Sequence, residues 1–168
     1  MIDSLGLHGY DDVMVAWNHY CDGTGIDVTA PFASFDWGNA QTLIDSKVKS
    51  LVGGGCTERS ISVNFNVNAQ TGGVDAYIIG RHVVKATGTI KVHCDCTWSF
   101  DGKMSSALGY DPYDFDASNR GPKGEVLTFI GGNRCPFAGK PYNIKLPGSE
   151  SITSSGTIPG GTPTCCHL

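Results

Sequence analysis

Residues Ser60-Ile61-Ser62-Val63-Asn64-Phe65-Asn66-Val67-Asn68, SISVNFNVN, place an apolar side chain at every second position with Ser or Asn between. Successive side chains of a strand point to opposite faces, so this period of two predicts a half-buried β-strand with Ile61, Val63, Phe65 and Val67 toward a core. Upstream the period is helical. Val13, Ala16, Trp17 and Tyr20 recur behind Asp11, a residue suited to an N-cap, and predict a helix over residues 10–20. A second helix is predicted from Asn39 to Leu51, with Leu43, Ile44, Val48 and Leu51 as its apolar stripe and Gly53-Gly54-Gly55 as its stop. The glycines and proline of the segment between them, CDGTGIDVTAPFASFDWG, mark an irregular crossing.

Downstream, Val74 to Ile79 reads as a second strand, and Val83 to Phe100 as a long third element interrupted near Gly88. Within it Ile90, Val92, Cys94, Cys96, Trp98 and Phe100 share one face. Asp101-Gly102 is a hairpin signal, predicting that residues 103–108 pair back. Residues 122–130 suit a short helix with Pro122 in its first turn and Gly131 as stop. A strand follows from Tyr142 to Leu146, and the chain from about residue 150 reads as a polar tail. With no internal repeat and no linker, residues 1–168 are expected to form one domain. The class is α+β: N-terminal helices against an antiparallel, barrel-like sheet.

Composition narrows the function. The chain has 168 residues, 40% apolar and 17% charged, enough to bury a core and too apolar for a disordered chain. A net charge of −4 and a pI near 5.6 leave no basic stripe for a nucleic-acid backbone, so no nucleic-acid partner is expected. No run approaches the ~20 apolar residues of a membrane-spanning helix. The N-terminus lacks the basic and apolar regions of a secretory signal. The seven cysteines form no C-x-x-C pair. Cys94 and Cys96, two apart on one strand face, are poorly placed to bridge each other. Three readings stay open for the set: buried apolar cysteines, one or two disulfides with an odd thiol, or a Cys-Cys-His zinc site in the tail.

The chemistry concentrates in Gly109–Gly121, GYDPYDFDASNRG, which holds three carboxylates, two phenols and one guanidinium. Carboxylates at this density hold a hard cation, share a site that raises one pKa, or face water. The ligand spacing of an EF-hand is missing. Carboxylates beside an arginine and a tyrosine are the mixture a phosphate-transfer or hydrolysis site needs.

The segment Asp111-Pro112-Tyr113-Asp114-Phe115-Asp116-Ala117-Ser118-Asn119-Arg120-Gly121, followed by Gly124-Glu125-Val126-Leu127-Thr128, closely resembles the catalytic segment of colicin M-type bacteriocins. The resemblance extends through Gly88-Thr89-Ile90, Trp98-Ser99-Phe100 and Gly139-Lys140-Pro141-Tyr142-Asn143-Ile144 to Leu146-Pro147-Gly148, and is specific from about Gly88 to Gly148. It implies a small fold with a half-open β-barrel and an antibacterial enzyme that cuts lipid II between undecaprenyl and pyrophosphate. It further implies a divalent cation, typically magnesium (Mg2+), held by Asp111 and Asp114, and action from the target-cell periplasm by a secreted or injected toxin. A cognate immunity protein would be the partner in the producer. Asp111, Tyr113, Asp114 and Arg120 match the family's essential positions, and Glu125 matches an acidic residue of the following helix.

The match has one departure. The family pattern is Asp-x-Tyr-Asp, five residues, then His-Arg; here the loop is one residue shorter and Asn119 precedes Arg120. Asparagine can orient a water or hold a phosphate oxygen but takes up no proton near neutral pH. His93, on the polar face of its strand, is the first candidate to stand in, ahead of His82 and His167. The rival expectation is a lipid II-binding pseudoenzyme that has lost turnover with the histidine; a non-catalytic cysteine-rich β protein is the third. Family toxins carry receptor-binding and translocation segments ahead of the activity domain, and this chain reads as the activity domain.

Overall fold

In a computed structural model, residues 10–113 and 139–165 are described, without the side chains of residues 10–14, Val74 and Tyr77. The elements run α1 (Tyr10–Cys21), β1 (Val28–Thr29), α2 (Ala40–Val52), β2 (Arg59–Gln70), β3 (Arg81–Val92), β4 (Thr97–Ser106), β5 (Tyr110–Tyr113), β6 (Tyr142–Lys145) and β7 (Glu150–Thr157). Short 3-10 turns lie at Phe32–Ser34 and Gly73–Tyr77. Among the described residues, β2-β3-β4-β7 form an antiparallel sheet, and β1-β6-β5 a second in which β1 runs parallel to β6. The class is α+β, and the sheets are not closed into a barrel.

SISVNFNVN is the middle of β2. The strand pairs with β3 from Arg59↔Val92 to Gln70↔Arg81, its Ser and Asn side chains exposed and Ile61, Val63, Phe65 and Val67 partly buried against the core. On β3 the even-numbered side chains face inward: His82, Val84, Ala86, Ile90 and Val92 are all buried. The core face of β4 is Trp98, Phe100 and Met104. Ile90 pairs with Phe100 and Val92 with Trp98, so the apolar face expected along one element is assembled across two strands.

The β3–β4 turn is not at Asp101-Gly102, which lie inside β4, but at residues 93–96. Asp95 Oδ1 accepts from the Thr97 N–H at 3.0 Å and the Thr97 hydroxyl at 2.7 Å, and these bonds hold its carboxyl below the usual range. Cys96 takes a positive φ of 68°, and its N–H donates to the His93 carbonyl. Gly102 instead faces Gly88 across the ladder, and the Phe100 ring fills the space. A Cβ on Gly88 would come within 2.3 Å of the Asp101 carbonyl and 2.7 Å of the Phe100 ring. These glycines permit close approach within a sheet, which is the other use of glycine in strands.

Four further expectations are corrected. Residues 74–79 form no strand: Gly73–Tyr77 is a 3-10 turn, and the Ile78 and Ile79 N–H groups both donate to the Asp75 carbonyl. The Asp75 carboxylate accepts from the Asp36 N–H at 2.6 Å, so a tertiary contact outweighs the strand propensity of this run. The buried stripe of α2 is Ala40, Ile44, Val48 and Val52, at i, i+4 spacing, while Leu51 is 39% exposed. The polar tail contains β7, an edge strand along β4, with Ser154 opposite Phe100 and Gly156 opposite Trp98. Small residues there leave room for the large rings of β4. The described part of α1 already includes Tyr10, which puts Asp11 inside the helix rather than at its cap. The helix expected over 122–130 lies outside the described residues.

Two disulfides, Cys56–Cys96 and Cys94–Cys165, join the β3–β4 turn to the loop between α2 and β2 and to the C-terminal segment. Cys21 is also disulfide-bonded. The five described cysteines are therefore cross-links rather than merely buried apolar groups, and the Cys165 bridge to Cys94 argues against a tail zinc site. The C-terminal segment is further tied by the Thr164 N–H to the Cys94 carbonyl and by the Thr164 hydroxyl to the Cys56 carbonyl.

Candidate functional site

The site lies where the ends of β3 and β4 meet β5. β5 alternates, with Tyr110 and Pro112 exposed and Asp111 and Tyr113 buried. Its partner β6 places Ile144 opposite Asp111 and Tyr142 opposite Tyr113. A carboxylate on an inward position needs a polar partner, because burying an unpaired charge is costly. Asp111 is 7% exposed, and its Oδ1 lies 3.0 Å from Nδ1 of His82, itself 5% exposed. The other ring nitrogen, Nε2, lies 2.8 Å from the Ser106 hydroxyl. Ser106 Oγ also accepts from the Gly109 N–H at 2.8 Å. One polar chain thus crosses from β3 through β4 to β5.

Aromatic residues wall this chain in. The Trp37 ring lies 5.6 Å from the His82 ring and stacks at 4.2 Å on Phe32, whose carbonyl accepts from the Trp37 indole N–H. Trp37 is fixed by the irregular crossing, where Asp36 and Asn39 bond to the Gln70–Asp75 region and the Gly38 N–H donates to Asp36 Oδ1. Tyr113 sits 5.0 Å from Tyr142 and 6.2 Å from Tyr20, ring centre to ring centre. Burial first, and the neighbouring phenols second, push its pKa well above the ordinary tyrosine value. Tyr142 donates to the Ala16 carbonyl at 2.9 Å, and burial likewise raises its pKa. Both phenols are therefore neutral hydroxyls at physiological pH. The β1–β6 edge behind them is pinned by Asp27, which accepts from the Asn143 backbone and side chain; these bonds, helped by Lys145, hold its carboxyl low.

Of the motif residues, Asp111 and Tyr113 enter the core side by side on β5. Asp114, Asn119, Arg120 and Glu125 lie outside the described residues. Among the described residues no three His, Cys, Asp or Glu side chains cluster as a metal site.

The histidine expectation is corrected. His93 sits in the β3–β4 turn, eleven residues from His82 along the chain and roughly 35 Å away at strand rise, and its own N–H is bonded to Thr97. His82 is the histidine at Asp111. Its parity with Val84, Ala86, Ile90 and Val92 was the available signal: it occupies a core-facing position of β3, where a polar ring must find a partner.

Comparison with known proteins agrees with this architecture. The sequence profile of the Colicin M family matches residues 11–157. Colicin-M of Escherichia coli is 32% identical over 150 residues, covering 85% of this chain and 52% of that protein. The crystal structure of the bacteriocin syringacin M from Pseudomonas syringae pv. tomato superposes with a TM-score of 0.65 at 25% identity, over 89% of this chain and 54% of that one. Pectocin M2 superposes with a TM-score of 0.68 at 24% identity, over 94% of this chain and 58% of that one. The chain spans about half the length of the curated relative it matches. With the family profile matching residues 11–157 and the fold in common with these proteins, the chain belongs to the colicin M family.

Proposed function

We propose that this chain is the activity domain of an antibacterial toxin that hydrolyses lipid II between undecaprenyl and pyrophosphate in the target-cell periplasm. The observation carrying the proposal is Asp111: the first acid of the family motif is buried yet held by His82, as a working carboxylate would be and a solvated loop acid would not. The donor set fits magnesium. That ion binds through one or two carboxylates and substrate phosphates rather than in an all-protein cage, and Asp111 with Asp114 would supply the carboxylates. Magnesium, when bound, neutralises the pyrophosphate leaving group.

The chain's own residues do the rest. Asp111 serves as base or nucleophile, and Tyr113 presents a neutral phenol for orienting or proton-donating work. Arg120 clamps a phosphate oxygen bidentately, Asn119 orients a water or holds a phosphate oxygen, and Glu125 completes the acidic set. Hydrolysis adds water across the prenyl–pyrophosphate bond, giving an alcohol and a soluble pyrophospho-sugar. The producer's partner in this reading is a cognate immunity protein.

Purified protein with magnesium should cleave lipid II, chelation should stop it, and Asp111→Ala should lower the rate at least ~100-fold, as expected for loss of a group acting on the transition state. Wild-type rates in the Asp111→Ala protein would overturn the assignment. The shortened motif, with Asn119 where the family has histidine, favours a second reading: a pseudoenzyme that binds lipid II. Binding without cleavage by the wild type would establish it.

A further inference from the structure

The structure assigns His82 as a positioning residue that fixes the Asp111 carboxylate from Nδ1 while Ser106 holds its Nε2. This rests on the proposed function only for the consequence of losing it; the geometry stands by itself. The proton positions follow from the partners. Oδ1 of the Asp111 carboxylate is the acceptor in this pair, so Nδ1, 3.0 Å from it, is the donor. With Nδ1 carrying the single proton of a neutral imidazole, Nε2 is the acceptor, and the Ser106 hydroxyl, whose oxygen accepts the Gly109 N–H, donates to it at 2.8 Å. The chain therefore reads in one direction: Gly109 N–H to Ser106, Ser106 O–H to Nε2, Nδ1–H to Asp111.

Three strands contribute to this chain, so the carboxylate orientation depends on the packing of the main sheet against β5. Trp37 on the ring and burial of both partners limit rotation. A carboxylate held this way keeps its other oxygen for a metal ion or a reacting water, the arrangement by which outer residues orient ligands and raise their effectiveness. The histidine comes from a strand some thirty residues before the motif, 29 positions from Asp111, so no pattern within the motif contains it.

Nitrogen-15 NMR of the metal-free protein tests the assignment directly. His82 should show a protonated Nδ1 and an unprotonated Nε2, and Ser106→Ala should perturb Nε2 while leaving the Nδ1 proton on Asp111. A proton on Nε2 with Nδ1 bare, or rapid averaging of the two tautomers, would overturn it. Three variants then read the functional consequence, with folding checked by thermal melting. Asparagine places an amide N–H where Nδ1 lies, so His82→Asn should keep most activity. His82→Leu and His82→Gln should lose about 10–100-fold in kcat with a smaller change in KM. Equal kcat in folded His82→Leu and wild type would contradict the positioning role. A wild type that cleaves nothing would remove the proposed function, and the tautomer measurement would still decide this inference.

Discussion

At Tyr113 and Tyr142 the chain buries two phenols beside its most important carboxylate, and burial has a consequence in alkaline solution. Both phenols have folded pKa values above the ordinary value, so between about pH 10 and their folded values the unfolded chain gives up protons that the native chain keeps. The unfolded state then binds fewer protons, and stability falls as pH rises. Below about pH 10 this contribution is fully present; above it the slope should approach 1.4 kcal/mol per pH unit for each phenol. Denaturant titrations across this range, with Tyr142→Phe as control, should show the loss and its partial removal in the variant. Stability that stays flat through pH 11 would contradict the burial. At this scale the sequence was informative about Asp111 and Tyr113, because a family motif names them. It was silent about their partner. His82 lies next to Arg81 and far from the motif, and only its parity on β3 marks it as inward.

Strands show most sharply what local reading can and cannot reach. SISVNFNVN declares itself because one face of β2 meets water and the other the core, so each side chain reports its own environment. Neither β7 nor the β3–β4 turn does so. β7 has one buried large side chain, Ile152, and its small residues are explained only by the Trp98 and Phe100 rings opposite. Asp101-Gly102 imitates a hairpin turn because glycine serves tight turns and close approach alike, and the sequence does not say which. The structure makes a test available. Gly88→Ala adds a methyl that meets the Asp101 carbonyl and the Phe100 ring, and should destabilise the protein by about 1–3 kcal/mol, read as a lower denaturation midpoint. An unchanged midpoint would mean that the cross-strand glycine pair is not needed for the approach of β3 to β4.

For the molecule as a whole, the site occupies one end of the main sheet and the Cys56–Cys96 and Cys94–Cys165 bridges the other. The β3–β4 turn carries Cys94 and Cys96, and their bridges close separations of 71 and 40 residues. Loops of that size make each bridge worth several kcal/mol in the unfolded chain, and Cys94→Ser/Cys165→Ser should cost about 2–5 kcal/mol in urea denaturation. An equally stable double variant would show the C-terminal segment to be held by β7 and the Thr164 hydrogen bonds without the bridge. Composition made disulfides one of several readings, because pairing depends on which strands meet; it is the pairing of β7 with β4 that brings Cys165 to Cys94. The same long-range assembly brings β3, β4 and β5 together around Asp111, and the catalytic proposal depends on it.

The most direct test of that proposal is the identity of the products when wild-type protein and magnesium act on lipid II, read by phosphorus NMR. The account predicts loss of the lipid-linked signal and appearance of one soluble pyrophospho-disaccharide that retains both phosphates, with undecaprenol left behind. Intact lipid II at high enzyme concentration, or products divided within the pyrophosphate, would contradict it.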